Sequence, residues 1–147
     1  MASGIGIHDD VKSAFKELLV HREHRGLILR VSSDMTLIEV DKILPVKEGV
    51  TPQEEYDSYA SLLSESECRY FIYDFEYVAS DVKKSRVVLI CWTPETSHIK
   101  SKMMYASSKI SLQGALDGIQ TMVQATDTDE ITYDAVKAVI QNSAVSY

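Results

Sequence analysis

The stretch that decides the fold is Val87-Val88-Leu89-Ile90-Cys91-Trp92, six apolar residues in a row that are followed at once by Thr93-Pro94. Its β-branched and aromatic residues predict a β-strand, and Pro94 ends it. A strand exposed on one face would alternate apolar with polar residues, and this one does not. Both of its faces should therefore be covered, which requires a sheet with helices on both sides.

Segments of similar composition lie on either side of this strand. Residues 68–78 and 85–92 predict two neighbouring strands joined by a polar link, residues 79–84. Residues 26–32 and 36–44 predict a β-hairpin, and residues 119–125 a final strand after Gly118. The sheet should contain about five strands.

Four segments have helical patterns. Apolar residues recur at helical spacing over 11–19, behind the possible caps Asp9 and Asp10. Thr51-Pro52-Gln53-Glu54 has the pattern of a capping box and opens a helix that should end near Ser64. A long helix over 97–116 and a last helix over 132–142 complete the order αββαββαβα. We expect one domain, 1–147, with a flexible tail at 1–6.

The long helix contains two apolar stripes, and only one of them can face the core. The stripe through Met104, Ser108 and Leu112 stays small or apolar as far as Ile119, whereas the stripe through Met103 runs into Gln113 and Asp117. The first stripe should be buried. Met103 should therefore point outward beside lysines, which forms an apolar and basic surface.

Composition excludes several functions. The chain of 147 residues has 15 basic and 22 acidic residues, a net charge of −7, which argues against binding to nucleic acid. No phosphate-binding loop motif occurs, so no nucleotide cofactor is expected. The longest apolar run, six residues, is far too short to span a membrane. We expect a cytoplasmic protein.

Two carboxylates form the best candidate for an enzymatic site. Asp74 and Glu76 alternate with aromatic residues, so both should face the same side of a strand. They would act either as an acid and base pair or as ordinary partners of a basic neighbour.

Histidine and cysteine residues give weaker signals. His21 and His24 are three residues apart and are either metal ligands without a visible third partner or solvated side chains near a helix C-terminus. Cys68 and Cys91 lie in apolar strands, form no CxxC pair and should be inert core thiols in a reducing compartment.

Basic residues gather in two places. The clusters are Lys100, Lys102 and Lys109 on the long helix, and Lys83, Lys84 and Arg86 in the link between the central strands. In an acidic protein such patches favour an acidic partner. An exposed methionine beside lysines suits a protein interface, because it provides an apolar anchor with a charged rim.

The segment Lys100-Ser101-Lys102-Met103-Met104-Tyr105-Ala106-Ser107-Ser108-Lys109 resembles the signature of the actin-depolymerising factor/cofilin family. Other segments resemble the family in the same order along nearly the whole chain: Met1 to Gly4, Ser64 to Tyr70, Tyr73 to Tyr77, Trp92 to Glu95, Gly118-Ile119 and Val123 to Asp127. The resemblance implies an α/β (α+β) fold with a central mixed β-sheet and helices on both faces, the actin-depolymerising factor homology fold.

The resemblance also implies a partner. Family members bind monomeric actin, preferably its ADP form, and slow nucleotide exchange. The corresponding residues here are Ser3, Gly4, Lys100, Lys102 and Met103. Ser3 matches the family's regulatory serine, where phosphate would weaken binding to an acidic partner. The same lysines resemble the family's phosphoinositide site.

A second family surface binds filaments, and this chain matches only half of it. Lys84 and Arg86 agree with the family, but Ala138, Val139 and Asn142 stand where relatives carry charges. Residues 113–115 also lack a lysine run that many relatives have.

We therefore predict a monomeric, cytoskeleton-associated regulator of actin turnover that binds actin monomers strongly and binds and severs filaments weakly. The alternatives are a membrane adaptor that binds phosphoinositides, and an enzyme that uses Asp74 and Glu76.

Overall fold

The computed structural model describes residues 5–144, and the side chains of residues 5–142. Within this part of the chain, six strands form one sheet with the order β1-β3-β2-β4-β5-β6. The strands are β1 (Gly6–Ile7), β2 (His24–Val31), β3 (Leu37–Pro45), β4 (Arg69–Ala79), β5 (Val82–Trp92) and β6 (Thr121–Ala125). The β1·β3 and β5·β6 pairs are parallel and the other three are antiparallel. The predicted mixed sheet is confirmed.

Helices cover both faces of this sheet, as predicted. They are α1 (Asp9–Lys16), extended by a π-helical turn (Glu17–His21), α2 (Pro52–Ala60), α3 (Ile99–Ala115) and α4 (Tyr133–Ala144), which follows a 3₁₀ turn (Thr128–Ile131). Side chains of α2 and α4 belong to one hydrophobic core and those of α1 and α3 to another. None of the helices in the described residues is long and apolar enough to cross a membrane.

Strand β5 contributes to both cores. Val88, Ile90 and Trp92 pack with the helices of one face. Val87, Leu89 and Cys91 pack with the helices of the other. Because successive side chains of a strand point to opposite faces, an unbroken apolar run is what a strand between two cores requires.

The helix α2 begins as predicted. The Thr51 hydroxyl accepts the amide N–H of Glu54 at 3.1 Å, and the Glu54 carboxylate accepts the amide N–H of Thr51 at 2.9 Å. The helix ends at Ala60 rather than near Ser64.

The N-terminal segment differs from the prediction at Gly6. Its amide N–H donates to the carbonyl of Thr36 at 2.9 Å, and that of His8 donates to the carbonyl of Ile38 at 2.9 Å. Gly6 is therefore part of β1 and not of a flexible tail, and the sheet has six strands rather than about five. Ser3 and Gly4, which were assigned to actin binding, lie outside the described residues.

The predicted link at 79–84 is mostly strand. Only Ser80 and Asp81 turn, both with positive φ (52° and 63°), and the β4·β5 ladder continues to Ala79 and Val82. Lys83, Lys84 and Arg86 are therefore residues of β5 and not of a link, which corrects the prediction. Two residues with positive φ suit the tight hairpin turns whose twist matches that of the strands.

Candidate functional site

The first turn of α3 carries two lysines at an unfavourable position. His98 caps this helix, since its Nδ1 accepts the amide N–H of Lys100 at 3.2 Å. Lys100 and Lys102 follow, and no acidic residue occupies the turn. Positive side chains near a helix N-terminus oppose the helix dipole, which typically costs about 0.3–1 kcal/mol each. Helix stability therefore gives no reason for these two charges.

The inner side of α3 is fixed to the sheet. Tyr105, Ser108 and Leu112 are buried. The Tyr105 hydroxyl accepts the amide N–H of Val31 at 2.8 Å, and its carbonyl accepts the hydroxyl of Tyr70 at 2.6 Å. The predicted stripe correctly identified Ser108 and Leu112 as buried but missed Tyr105.

The outer side of α3 is apolar and exposed. Ile99, Met103 and Ile110 are 70%, 67% and 62% exposed. Their spacings of four and seven residues place them on one face of the helix. Met104, in contrast, is half-buried. The prediction that Met103 points outward is confirmed. Met104, which the sequence placed in the core stripe, is less exposed than Met103 but is not fully buried.

The three lysines of α3 differ in the groups with which their ammonium groups interact. Lys100 is exposed and forms no ion pair with the described residues. The ammonium of Lys102 donates to the carbonyl of Glu95 at 2.7 Å, which fixes it beside the start of the helix. Lys109, which the sequence grouped with them, donates instead to the side chain of Gln124 on β6 at 2.8 Å. We call Ile99, Lys100, Lys102, Met103 and Ile110 the α3 surface.

The second basic cluster lies on β5, near the turn that joins it to β4. Lys83 and Lys84 are exposed and Arg86 is half-buried. Lys83 and Lys84 line a groove with Lys137 of α4. Sequence reasoning missed Lys137, because it examined only positions 138, 139 and 142 of the last helix.

Asp74 and Glu76 are engaged by arginines. Arg22 Nη2 lies 2.8 Å from Asp74 Oδ2, and Arg25 Nη1 lies 3.4 Å from Glu76 Oε2. Arg25 also pairs through Nε with Glu55 at 2.9 Å. Burial raises the pKa of Asp74, although the two arginines act in the opposite direction. The geometry therefore favours the interpretation that these carboxylates are ion-pair partners of basic neighbours, rather than a catalytic acid and base pair.

The histidine and cysteine candidates lie in different surroundings. His24 Nε2 lies 2.9 Å from Glu17 Oε2, and Glu23 lies close to both. His21 is not part of that group. Cys68 and Cys91 are free and buried, and burial raises the pKa of Cys91 to about 11. A raised pKa keeps a thiol protonated, and protonated thiols are poor nucleophiles.

Comparison with known proteins identifies the family of the chain. Residues 4–141 match the sequence model of the cofilin/tropomyosin-type actin-binding proteins. The chain is 41% identical over 138 residues to actin-depolymerizing factor 1 of Petunia hybrida, covering 93% of this chain and 95% of the relative. It is 43% identical over 137 residues to actin-depolymerizing factor 4 of Oryza sativa subsp. japonica, covering 92% and 94%.

Solved structures agree with the sequence comparison. Actin depolymerization factor 2 of Plasmodium berghei superposes with a TM-score of 0.86 at 30% identity, covering 97% of this chain and 99% of the other. The cofilin of Streptomyces griseoflavus superposes with a TM-score of 0.80 at 30% identity, covering 92% and 96%. The chain therefore belongs to the cofilin/tropomyosin-type family, the actin-depolymerising factor/cofilin family whose signature its third helix resembles.

Proposed function

We propose that this chain is a single-domain regulator of actin turnover that binds actin monomers through the α3 surface. It prefers the ADP form of actin, slows nucleotide exchange and promotes depolymerisation, without enzymatic activity of its own. It acts as a monomer in the cytoplasm, associated with the cytoskeleton. One observation carries the proposal: Met103 is exposed and follows Lys100 and Lys102 on a helix whose opposite side is buried against the sheet.

The α3 surface has the chemistry of a helix that docks into an apolar groove. Burying an exposed methionine side chain contributes about 1.5–3 kcal/mol, so Met103 supplies an anchor. The ammonium groups of Lys100 and Lys102 add long-range attraction to an acidic partner and speed encounter. Because the sheet already holds α3, binding requires little ordering of the helix.

Nucleotide exchange on monomeric actin tests this proposal. Actin loaded with a fluorescent nucleotide loses signal as the nucleotide is replaced, and increasing amounts of this protein should slow that loss until it saturates. The effect should be larger on ADP-actin than on ATP-actin. An exchange rate that does not change at saturating protein would reject the proposal.

Ser3 extends the proposal to regulation. It lies in the tail that we assign, with Gly4, to actin binding. A phosphate would add about −1.5 to −2 charges and repel an acidic partner. Ser3→Glu should therefore bind ADP-actin monomers more weakly than Ser3→Ala. Equal affinities of these two variants would remove the switch.

Filament binding should be weaker than monomer binding. Lys84 and Arg86 provide a basic patch on β5, but Ala138, Val139 and Asn142 of α4 are exposed and uncharged. Local potential depends on the sum of nearby charges, so this filament surface is incomplete. We expect little co-sedimentation with filaments, and little severing, at physiological salt. Stoichiometric pelleting there would contradict this part of the proposal.

A second candidate function uses the same lysines. Lys100 is exposed beside Ile99, and a basic residue next to an exposed apolar one also suits a membrane surface that contains phosphoinositides. Flotation with phosphoinositide vesicles, with and without actin monomers, separates the two. Competition between actin and vesicles would indicate one shared surface, whereas flotation without any actin binding would favour a membrane adaptor.

A further inference from the structure

Three side chains that can bind a metal ion meet where the chain passes from α1 into β2. Nε2 of His24 lies 2.9 Å from Oε2 of Glu17. A carboxylate oxygen of Glu23 completes the group, and the three donor atoms, one from each residue, all lie within 4.8 Å of one another. The sequence pattern offers His21 and His24 as a pair without a third partner. The structure instead places two glutamates, and not His21, beside His24.

Irregular backbone brings the three side chains together. The chain leaves α1 through a π-helical turn, which ends at Arg22 with a positive φ of 54°. The amide N–H of Glu23 then donates to the carbonyl of Glu17 at 3.2 Å, which fixes the two glutamates side by side. His24 is the first residue of β2, and the ladder with β3 shifts register between His24 and Gly26. Such local irregularities reorient side chains and are common at functional sites.

The group carries negative charge that no lysine or arginine in the described part of the chain neutralises. Glu23 forms no ion pair there, and Glu17 pairs only with His24. Arg22 is adjacent in sequence, but its Nη2 lies 2.8 Å from Asp74. Two carboxylates held close together repel each other, and a divalent cation bound between them removes that repulsion.

We propose that Glu17, Glu23 and His24 bind one zinc ion, with water as the fourth ligand. Zn²⁺ takes imidazole nitrogen and carboxylate oxygen at about 2.0–2.2 Å in tetrahedral geometry, which places the donor atoms about 3.4 Å apart. The longest separation in the group, at most 4.8 Å, has to shrink to that value. The side chain of Glu23 is exposed and can make this movement.

The ligand set also selects among metals. Mg²⁺ and Ca²⁺ take oxygen ligands, whereas an imidazole with carboxylates suits Zn²⁺. Coordination uses the lone pair of Nε2 of His24, so the proton that Nε2 shares with Glu17 leaves to Nδ1 or to solvent. The bound ion joins the end of α1 to the first residue of β2.

Calorimetric titration of the chelator-treated full chain with Zn²⁺ tests this proposal. Wild-type protein should bind a single zinc ion per chain, and excess Mg²⁺ or Ca²⁺ should not displace it. Co²⁺ in place of Zn²⁺ should give the visible absorption bands of a tetrahedral site. A wild-type protein that binds no zinc would overturn the proposal.

Variants of the ligands and a matched histidine control locate the ion. Glu23→Gln and, separately, His24→Ala should each weaken zinc binding at least about tenfold, since even changes around the ligands of a metal commonly cost that much. His21→Ala is the control, because His21 is exposed and lies three positions before His24 but outside the group. It should bind zinc like wild type. Ligand variants that bind like wild type, or a control that loses as much as they do, would place the ion elsewhere and reject the site.

Thermal unfolding gives a second readout. An ion that binds only the folded chain stabilises it by mass action, so zinc should raise the unfolding midpoint of wild type and of His21→Ala, and a chelator should reverse the rise. Glu23→Gln changes an exposed side chain and should fold without zinc, yet show little or no rise. An equal rise in Glu23→Gln would contradict the assignment. None of these measurements involves actin, so they test the zinc site independently of the proposed function.

Discussion

Met103 and Met104 are neighbours in α3 that differ in solvent exposure. Replacing Met103 by alanine should therefore affect stability less, and actin binding more, than replacing Met104. A fully buried methionine costs about 2–5 kcal/mol when it is truncated to alanine. Met103 is 67% exposed, so Met103→Ala should lower the free energy of unfolding by less than about 1 kcal/mol. Met104 is half-buried, so Met104→Ala should lower the free energy of unfolding by about 1–3 kcal/mol.

Actin binding should reverse this order. If Met103 is the anchor, its loss removes most of the apolar contact at the centre of the interface, and anchors of this kind contribute about 2 kcal/mol or more. Met103→Ala should then weaken binding to ADP-actin monomers by at least about tenfold. Met104→Ala should change the affinity little as long as the protein is folded.

Urea denaturation and monomer binding measure the two effects separately. Trp92 is the single tryptophan of the chain and is 2% exposed, with its indole N–H donating to the carbonyl of Ser64 at 2.7 Å. Its fluorescence therefore reports unfolding directly. The reasoning is refuted if Met103→Ala is the less stable variant, or if Met103→Ala binds actin at wild-type affinity while Met104→Ala does not.

Three further predictions concern the fold. Thr51→Ala removes the cap of α2 and should lower the free energy of unfolding by about 1 kcal/mol in urea; no change would show that the cap contributes nothing. Cys68 and Cys91 should resist Ellman's reagent in the native protein and react together after unfolding, whereas fast native reaction would contradict their burial. Burial raises the pKa of Asp74, so the folded state binds its proton more tightly than the unfolded chain, and wild-type stability relative to Asp74→Asn should fall as pH rises above about 4. A difference that grows with pH would instead show that pairing with Arg22 dominates.

The central sheet and the orientation of α3 were predictable because each depends on a local pattern. The run from Val87 to Trp92 requires two covered faces, and both cores are present. Helical periodicity separates Met103 from Met104 without any knowledge of what either contacts. The capping box at Thr51 is likewise a signal of four adjacent residues.

Features that depend on distant partners were not predictable. The strand β1 has only two residues, which are too few to show an alternation of apolar and polar side chains. It forms because its backbone pairs with the edge of β3. Residues 82–84 are too polar to look like strand, yet β4 supplies the ladder that keeps them extended. Lys137 and Lys84 lie about fifty residues apart in the sequence, and only the packing of α4 beside the hairpin brings them to one groove.

The double variant Lys100→Ala with Lys102→Ala tests the role of the α3 surface most directly. Removing two cations from the start of α3 should leave stability within about 1 kcal/mol of wild type, or slightly higher, because the helix dipole disfavours both charges. The dissociation constant for ADP-actin monomers should nevertheless rise at least about tenfold, while Lys12→Ala binds like wild type. A folded double variant that binds ADP-actin with wild-type affinity would contradict the assignment of this surface to actin.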